Sequence, residues 1–485
     1  MNCQLLWRFL QTTFFILIVS SSAFGQIAHE LKVKLDPESH RIEVVDNITL
    51  SPELLKSKQL HFTIHQGLEP EVLDKNIALK KTSGAEAGRF FTDNPSLQQS
   101  SMKMELFEVN LPEGTDQFTL KYAGEIYHPV QEYGEEYARS FSVSPGIISP
   151  EGIFLSGSTI WYPHFVDELV TFDLDVELPA GWSSVSQGTR RKAETGTDSR
   201  RDVWVADTPQ EEIYLISSEF TEYSQAAGVV EAMAFLRNPD SQLAQKYLDT
   251  TAQYLEMYRK LLGPYPYSKF ALVENFWETG YGMPSFTLLG PRVIRFPFIL
   301  HSSYPHEILH NWWGNGVYTD YEKGNWAEGL TTYLADHLIK EQRGAAVEYR
   351  RSVLQKYTNY VTANKEKDFP LTQFRSRHSA VTEAVGYGKT MMLFHMVRQQ
   401  LGDQDFVKAL HRFYRKYKFK VASFDDVETV FNNVNDESLE HLFGQWVKRT
   451  GSPSLRVSQA VAKQNGDGYI LSANIEQTQE EEPYR

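Results

Sequence analysis

The segment His306-Glu307-Ile308-Leu309-His310 constrains what this chain can fold into more than any other feature of its sequence. Two histidines four residues apart lie on one face of an α-helix, about one turn from each other, so both imidazoles can reach one metal ion. Glu307 then points toward the open coordination position, where a carboxylate can accept a proton from a metal-bound water molecule. The segment therefore predicts a helix that carries a metal centre.

The residues around this segment support a helix. Ser302 or Ser303 can cap its N-terminus, and Pro305 falls in the first turn, where its missing N–H is harmless. Two tryptophans continue the apolar face, and residues 314–316 (Gly-Asn-Gly) end the helix because they tolerate positive φ. The alternative is a helix whose two histidines bind no metal, and these flanking features make that interpretation the less favoured one.

Glu328 offers a third ligand for the same metal. It opens a second helix that we expect to run to about residue 340. It also follows Asn325 by three residues, so it can instead be the reaching-back member of a capping box. A catalytic zinc site takes three protein ligands and one water, and two histidines with one glutamate form one of the known sets. The sequence thus predicts Zn²⁺ held by His306, His310 and Glu328, the arrangement of zinc peptidases, with the capping role left open.

The first 25 residues are typical of an export signal. Arg8 is their only charged residue, residues 9–19 form a short apolar core, and residues 20–25 are rich in small side chains. The apolar core is too short to span a membrane, although an uncleaved N-terminal anchor is the alternative. We expect a mature chain that begins near Gln26, keeps no membrane span and is periplasmic or extracellular. Cleavage would remove Cys3, the only cysteine, so thiolate ligands are excluded.

The charge of the chain excludes one class of partner. The formal net charge is −14, and loss of the leader with its one cationic residue makes the mature chain more negative still. A chain this acidic is a poor binder of nucleic acid. Since the mature chain has no disulfide, its stability must come from buried cores, which its length can supply across two or three domains.

The hydrophobic pattern predicts an α+β multidomain protein. Residues 26–225 carry short runs that alternate polar and apolar side chains, which predicts an antiparallel β domain. Within it, the polar segment 188–201 is predicted to be an exposed loop. Residues 226–450 change to a helical period, which predicts a mainly helical catalytic domain with a small sheet at its start. Residues 451–485 predict a hairpin around an Asn-Gly-Asp-Gly turn, either packed on the catalytic domain or part of a further β domain.

With these residues in place, the chain resembles the gluzincin family of the membrane alanyl aminopeptidases. Residues 306–315 are similar to the metal helix of that family, and residues 325–329 (Asn-Trp-Ala-Glu-Gly) to the segment with its third ligand. Residues 386–389 (Gly-Tyr-Gly-Lys) resemble the helix start that carries the family's transition-state tyrosine. The resemblance implies a saddle-shaped N-terminal β domain, a thermolysin-like catalytic domain and a short C-terminal β segment.

The resemblance also implies a reaction, the zinc-dependent hydrolysis of a bond in a peptide or protein substrate. Glu307 would act as the general base, and Tyr387 would donate its O–H to the oxyanion. Judged from its position alone, Tyr387 is better explained as a packed aromatic residue at a helix start. Backbone groups would hold the substrate as an added strand, and the candidates for this role are Gly280, Tyr281, Gly282 and Met283.

The exopeptidase motif departs from the family pattern. Where the family has Gly-Ala-Met-Glu-Asn, this chain has Tyr-Gly-Met-Pro-Ser at residues 281–285, so Pro284 replaces the glutamate that grips the substrate's free amine. A glutamine of the family's β domain corresponds here to Phe154. Glu278 is the candidate substitute for amine binding. Three functions stay open: an aminopeptidase-like enzyme, an endopeptidase or other metallohydrolase on the same scaffold, and a non-catalytic binding protein. The third is disfavoured because the predicted metal ligands, base and tyrosine are all retained.

Overall fold

A computed structural model of the chain describes residues 26–56, 60–82, 103–133, 141–361, 367–434 and 438–485. The predicted export signal at residues 1–25 lies outside the described residues. Within the described ranges, no helix is both long enough and apolar enough to cross a membrane.

The first part of the described chain is built from β-strands. In β1, exposed and buried residues alternate along the strand, and Ile27, Leu31 and Val33 are buried because successive side chains point to opposite faces. The strands of this part are β1 (Gln26–Asp36), β2 (Arg41–Thr49), β3 (Leu60–His65), β4 (Glu71–Val72), β5 (Ala78–Thr82), β6 (Met104–Asn110), β7 (Gln117–Glu125), β8 (Gln131–Tyr133), β9 (Phe141–Val143), β10 (Ile147–Ser149), β11 (Gly152–Leu155), β12 (Leu169–Pro179), β13 (Ser183–Val185), β14 (Thr189–Thr195), β15 (Ser199–Gln210) and β16 (Leu215–Ser218).

The largest sheet of this part has the strand order β14-β15-β12-β1-β2-β7-β4, beside sheets of order β10-β11-β16-β13 and β3-β6-β5. The predicted β domain is confirmed, but its strands are not all antiparallel. Strands β1 and β12 run parallel, with Gln26 opposite Leu169. More than a hundred residues separate these two strands in sequence, which leaves ample chain for the crossover that a parallel pair requires.

The expectation of a loop at residues 188–201 is wrong. Most of this segment belongs to β14 and the start of β15, which pair as an antiparallel hairpin at the edge of the large sheet. The side chains of β14 are largely exposed, as their polar character suggested. An edge strand pairs on one side only, and both of its faces can be exposed to solvent. The polar side chains of this segment therefore did not distinguish a strand from a loop.

A five-stranded sheet begins the second part, with the order β17-β18-β19-β21-β20. Strands β18, β19 and β21 run parallel, and β20 pairs antiparallel with β21 at the edge. One face of this sheet, including Phe270 and Leu272, packs in the core of the helical domain, and the other face, including Ala271 and Val273, packs in the core of the β domain. The strands are β17 (Thr221–Ala227), β18 (Val230–Leu236), β19 (Lys269–Glu274), β20 (Gly280–Met283) and β21 (Phe286–Leu289).

Helices form the rest of the second part, as predicted. They are α1 (Ser241–Leu262), α2 (Ser303–Leu309), α3 (Ala327–Thr332), α4 (Leu338–Gln342), α5 (Ala346–Val361), α6 (Ala380–Thr382), α7 (Thr390–Tyr417), α8 (Phe424–Asn432) and α9 (Glu440–Trp446). Two π-helical segments, Tyr333–His337 and Glu383–Lys389, join α3 to α4 and α6 to α7. Helix α7 breaks at Gly402, which has a φ of +76°. A short parallel pair, β22 (Tyr318–Thr319) and β23 (Val421–Ala422), joins the loop after α2 to the segment between α7 and α8.

The C-terminal hairpin is present as predicted, from β24 (Leu455–Asn465) and β25 (Gly468–Gln477). Its side chains are almost all exposed, so the strands themselves do not pack on the helical domain. The contact with that domain is made by the residues after β25. Tyr484 stacks against Trp446 and donates its O–H to the carbonyl of Thr450 at 2.9 Å.

Candidate metal centre and active site

The two histidines predicted as ligands lie on α2 and at its C-terminal end. The helix ends at Leu309, and His310 keeps helical dihedral angles as its C-cap, so both imidazoles point to the same side. Their ring centroids lie 4.8 Å apart. Gly314, with a φ of +106°, reverses the chain where the predicted helix end lies. The hydroxyl of Ser302 donates to the carbonyl of Phe298 at 2.9 Å instead of capping the helix.

Glu328 lies in the first turn of α3, and its carboxylate faces both imidazoles. Its Oε2 lies 3.3 Å from Nε2 of His306 and 3.3 Å from Nε2 of His310. The ligand atoms of the three residues lie within 4.8 Å of one another. The helix cap comes from Asn325, whose Oδ1 accepts the N–H groups of Ala327 at 3.1 Å and Glu328 at 3.4 Å. The carboxylate of Glu328 is therefore turned to the imidazoles and does not reach back as a capping box would require.

The outer nitrogens of both imidazoles are held by other parts of the protein. Nδ1–H of His306 donates to Oδ2 of Asp336 at 2.8 Å, and Nδ1–H of His310 donates to the carbonyl of Trp313 at 2.9 Å. In a neutral imidazole this pattern leaves the lone pair on Nε2, the nitrogen that faces Glu328. Two imidazole nitrogens and one carboxylate that converge in this way are a ligand set of catalytic zinc. The residues present therefore fit a zinc ion.

Asp336 is a member of this site that the sequence argument missed. It lies on the π-helical segment Tyr333–His337, eight residues after Glu328. The wider turn of a π-helix decides which face of the helix its side chain occupies, and the sequence pattern did not reveal that turn. A carboxylate about two turns beyond the third ligand is the sequence signal that could have pointed to it.

Neighbouring charges and burial shift the pKa values of the ligand residues in opposite directions. Burial lowers the pKa of His306, but Asp336 and Glu328 outweigh burial and raise that pKa well above its usual value. Burial raises the pKa of Glu328, but the two imidazoles outweigh it and hold that pKa well below its usual value. Glu328 therefore stays ionised, and the cluster favours positive charge at its centre.

Glu307 faces the cavity beside the edge strand β20. A Cβ added at Gly282 would overlap Oε2 of Glu307, so an alanine at this position would displace the carboxylate. Burial raises the pKa of Glu307, and the two neighbouring imidazoles lower it only in part. A carboxylate with a raised pKa is a stronger base than an ordinary glutamate.

Tyr387 lies on the second π-helical segment, Glu383–Lys389. Its ring is nearly parallel to the imidazole of His306, with 6.3 Å between the ring centroids. Burial and the charge of Glu328 raise the pKa of Tyr387 well above its usual value. The phenol therefore keeps its proton at neutral pH and can act as a hydrogen-bond donor. The structure brings Tyr387 and the three predicted ligands into one site.

The four backbone candidates for substrate binding form the strand β20. This strand pairs with β21 on one side and is the last strand of its sheet, so its other edge is open. All four residues line the cavity that contains the metal cluster. Ser285, directly after Pro284, has a φ of +67°, and its N–H donates to Oδ1 of Asn311 at 2.7 Å. This bond fastens the end of the strand to the segment after the metal helix.

Glu278 does not join the other predicted site residues. Its Oε1 accepts a hydrogen bond from Nε of Arg292 at 2.9 Å and another from the backbone N–H of Arg292 at 3.0 Å. It is also absent from the described residues that line the cavity. The expectation that Glu278 points at a substrate amine is therefore corrected. Its carboxylate is bound by Arg292, which lies after β21 and directly before the 3₁₀-helix Val293–Arg295.

A cavity of about 1030 Å³ surrounds the metal cluster. The β domain contributes Phe154, Ser156 and Glu212 to its wall, and the helical domain contributes Lys356 and Arg377. The cavity is large enough for a peptide of a few residues. The metal cluster, the buried carboxylate of Glu307 and the edge strand β20 all line this cavity.

Residues 301–446 match the family model described as the peptidase family M1 domain. This match, together with the relatives and solved structures described below, supports a gluzincin family of the M1 aminopeptidase-like type. The M1 zinc metallopeptidases that the chain resembles imply zinc as the cofactor, in agreement with the ligand set described above.

Several curated aminopeptidases are similar to this chain. "Aminopeptidase 2, mitochondrial" of Saccharomyces cerevisiae is 24% identical over 46% of this chain and 25% of its own length. "Aminopeptidase N" of Lactococcus lactis is 21% identical over 84% of this chain and 51% of its own length. The chain thus spans a quarter to a half of the length of these two relatives.

Solved M1 structures share the fold. An M1 zinc metallopeptidase mutant from Deinococcus radiodurans, solved with a Tyr-Ser-Ala substrate, superposes with a TM-score of 0.63 at 16% identity, over 89% of this chain and 96% of that one. The same metallopeptidase without this mutation superposes with a TM-score of 0.62 at 17% identity. The arrangement of a β domain and a helical domain is therefore the one found in these proteins.

Proposed function

We propose that this protein hydrolyses peptide bonds with the help of a zinc ion, as an aminopeptidase-like enzyme. The observation that carries the proposal is the convergence of three ligands, with Oε2 of Glu328 at 3.3 Å from Nε2 of both His306 and His310. Glu307 lies beside this cluster and against Gly282 of the edge strand β20.

Zinc in such a site supplies Lewis acidity, which lowers the pKa of water and polarises a carbonyl oxygen. The protein's part begins with the imidazoles, which Asp336 and the carbonyl of Trp313 hold in one tautomer and one orientation. Glu307 accepts the proton of the attacking water and returns it to the leaving amine. Its raised pKa suits both steps, since the group must first bind and then release a proton.

Two further elements act on the substrate in this proposal. The free edge of β20 offers main-chain groups to an extended peptide, and its glycines allow the peptide backbone to approach closely. Tyr387 keeps its proton because burial raises its pKa, so its O–H can be donated to the oxyanion that forms on the scissile carbonyl.

One observation favours endopeptidase activity as the second candidate. Pro284 stands where the family has its amine-binding glutamate, and the carboxylate of Glu278 is bound to Arg292. Pro284 has no carboxylate, and Glu278 does not line the cavity. If the substrate's N-terminus is not recognised at all, the enzyme will cleave N-acetylated and free peptides with equal kcat/KM.

The proposal is tested by metal analysis and peptide hydrolysis on the wild type and on Glu307→Gln. We expect about one zinc per chain in both proteins and a loss of about 1,000-fold or more in kcat in the variant, because the base is gone while the ligands remain. A panel of free and N-acetylated fluorogenic peptides assigns amino- or endopeptidase activity. A protein that binds no zinc and cleaves no peptide would overturn the proposal and favour a binding protein. A variant as active as the wild type would overturn the role of Glu307 as the base.

We also propose that the chain is exported, on the strength of the leader-like pattern of residues 1–25. N-terminal sequencing of the protein from fractionated cells tests this. A protein found in the cytoplasm with residues 1–25 retained would contradict it.

A further inference from the structure

Lys269, the first residue of β19, is a lysine buried where the β domain and the helical domain meet. It is only 2% exposed, and its Nζ lies 5.1 Å from the centre of the Trp204 ring and 5.4 Å from that of Phe286. Burial and the charge of Arg190 lower its pKa well below the usual value, and Glu231 offsets this only in part. A lysine removed from water is unfavourable unless its hydrogen bonds are satisfied.

In the described part of the chain, the hydrogen bonds of this ammonium group go to one residue. Nζ of Lys269 donates to Oγ of Ser285 at 2.8 Å and to the carbonyl oxygen of Ser285 at 3.2 Å. A methionine would fill the same space without a buried charge, and replacements of this kind are often neutral for stability or increase it. Since packing alone does not require the ammonium group, its contribution is the contact with Ser285.

Ser285 has a backbone conformation that a serine rarely adopts without support. It is the third residue of the turn Met283–Phe286, whose two end residues pair directly between β20 and β21, and its φ is +67°. Proline at the second position and a positive φ at the third match a type II turn, in which glycine or asparagine normally takes the third position. Such strain persists only where the surrounding structure holds it, and it is concentrated at functional sites.

The same turn is fastened to the metal helix by Asn311, which is fully buried. Oδ1 of Asn311 accepts the N–H of Ser285 at 2.7 Å. Its amide group donates to the carbonyl of Ile308 at 3.1 Å and to the carbonyl of Glu307 at 3.3 Å. A continuous series of hydrogen bonds therefore runs from Lys269 through Ser285 and Asn311 to the backbone of the proposed base.

Strand β20 leads directly into this turn and lies close to the metal helix. A Cβ added at Gly282 would overlap Oε2 of Glu307 and come within 3.4 Å of Cδ2 of His310. The residues of β20 line the cavity together with the metal ligands. Any change in the turn would shift the strand against the helix, and a misplacement of about 1 Å can lower the rate about 100-fold.

We propose that Lys269 is a positioning residue, which holds Ser285 at positive φ and thereby sets the place of the substrate strand β20 against the metal helix. This inference rests on the proposed peptidase function and adds a residue to it. Lys269 does not line the cavity, so it acts on a substrate only through the turn. Its replacement should therefore change catalysis without changing zinc content.

The first test is Lys269→Met, assayed on a fluorogenic peptide that the wild type cleaves. We expect kcat/KM to fall about 10- to 100-fold at unchanged zinc content, while the midpoint of urea unfolding stays the same or rises. A lysine with only a structural role would give the opposite pattern, a lower urea midpoint with normal kinetics of the folded enzyme. Wild-type kinetics in Lys269→Met would overturn the inference.

A comparison of two substitutions at Ser285 provides the second test. Ser285→Ala and Ser285→Gly both remove the hydroxyl group, but only alanine still has to be held at positive φ. We expect kcat/KM of Ser285→Gly to exceed that of Ser285→Ala by about 5-fold or more, because glycine adopts this conformation unaided. The double variant Lys269→Met with Ser285→Gly should recover to within about 3-fold of the wild type. Equal kinetics of the two Ser285 variants, or a double variant no better than Lys269→Met, would contradict the inference.

Matched controls make the same changes outside the site. Lys408→Met removes an ammonium group that donates to the carbonyl of Val434 at 3.2 Å and does not line the cavity. Gln459 in the C-terminal hairpin also has a positive φ, +50°, so Gln459→Ala and Gln459→Gly repeat the second comparison there. These three variants should keep the kcat/KM of the wild type. A loss in the controls as large as in the Lys269 and Ser285 variants would count against a positioning role.

Peptide binding distinguishes this inference from the function on which it rests. The affinity for Ala-Ala-Phe is measured by calorimetric titration of the zinc-loaded proteins, with each variant placed in the Glu307→Gln background. If the wild type cleaves no peptide, the proposed function fails, whereas binding that is weaker in Lys269→Met and restored in the double variant would still support the inference. Cleavage by the wild type with equal kinetics in all variants would support the function and overturn the inference. A protein that neither cleaves nor binds peptides would overturn both.

Discussion

Replacing Asp336 tests whether its hydrogen bond to Nδ1 of the predicted ligand His306 controls metal affinity. Oδ2 of Asp336 accepts the Nδ1–H of His306 at 2.8 Å. Asparagine keeps an oxygen at the same place and removes only the charge, whereas alanine removes the hydrogen bond as well. The two substitutions therefore separate the electrostatic part of the contact from the orientation of the ring.

The size of the effect follows from this geometry. Loss of a carboxylate behind a metal-binding histidine typically costs about 10- to 100-fold in metal affinity. The side chain of Asp336 is 23% exposed, so solvent screens part of its charge. We expect zinc affinity to fall about 10-fold in Asp336→Asn and about 100-fold in Asp336→Ala, or about 1.4 and 2.8 kcal/mol.

The assay is a competition titration of zinc against a chromophoric chelator, with thermal melting of the zinc-free proteins as a check on folding. Asp403→Asn is the matched control, because Asp403 accepts a hydrogen bond from Arg398 at 2.7 Å but lies far outside the site and is 75% exposed. Zinc affinity that is unchanged in both Asp336 variants, or equally reduced in the control, would refute the argument.

Three further predictions concern other parts of the chain. Gly282→Ala should lower kcat about 10- to 100-fold at unchanged zinc content, because the added Cβ displaces Glu307; unchanged kcat would contradict this. Asn325→Ala should cost about 1 kcal/mol in urea unfolding through loss of the α3 cap, and no cost would contradict it. Burial lowers the pKa of His65 and of His164 to about 4, so the unfolded chain binds protons that the folded chain does not. Stability should therefore fall between pH 6.5 and 4, by about 2 kcal/mol per histidine at pH 5, and equal urea midpoints at pH 7 and pH 5 would disprove it.

The sequence determined the features that depend on neighbours within a few turns of chain. The spacing of His306 and His310 specifies their common side because helical geometry is local, and the Gly-rich stretch after them marks where the chain reverses. The change from an alternating to a helical pattern separated the β domain from the helical domain for the same reason. The sequence also offered Glu328 as a third ligand, and the resemblance added Tyr387; the structure places both within the same site.

Tertiary structure alone decided which distant side chains meet. Glu328 could have capped its helix, and only the position of α3 against α2 turned its carboxylate to the imidazoles. Asp336 reaches His306 through a π-helical turn that has no clear sequence pattern, and Glu278 is taken by Arg292 across a turn. The residues that line the two cavity walls come from segments far apart in the chain. Their meeting depends on how two domains pack on opposite faces of one sheet, which no local pattern encodes.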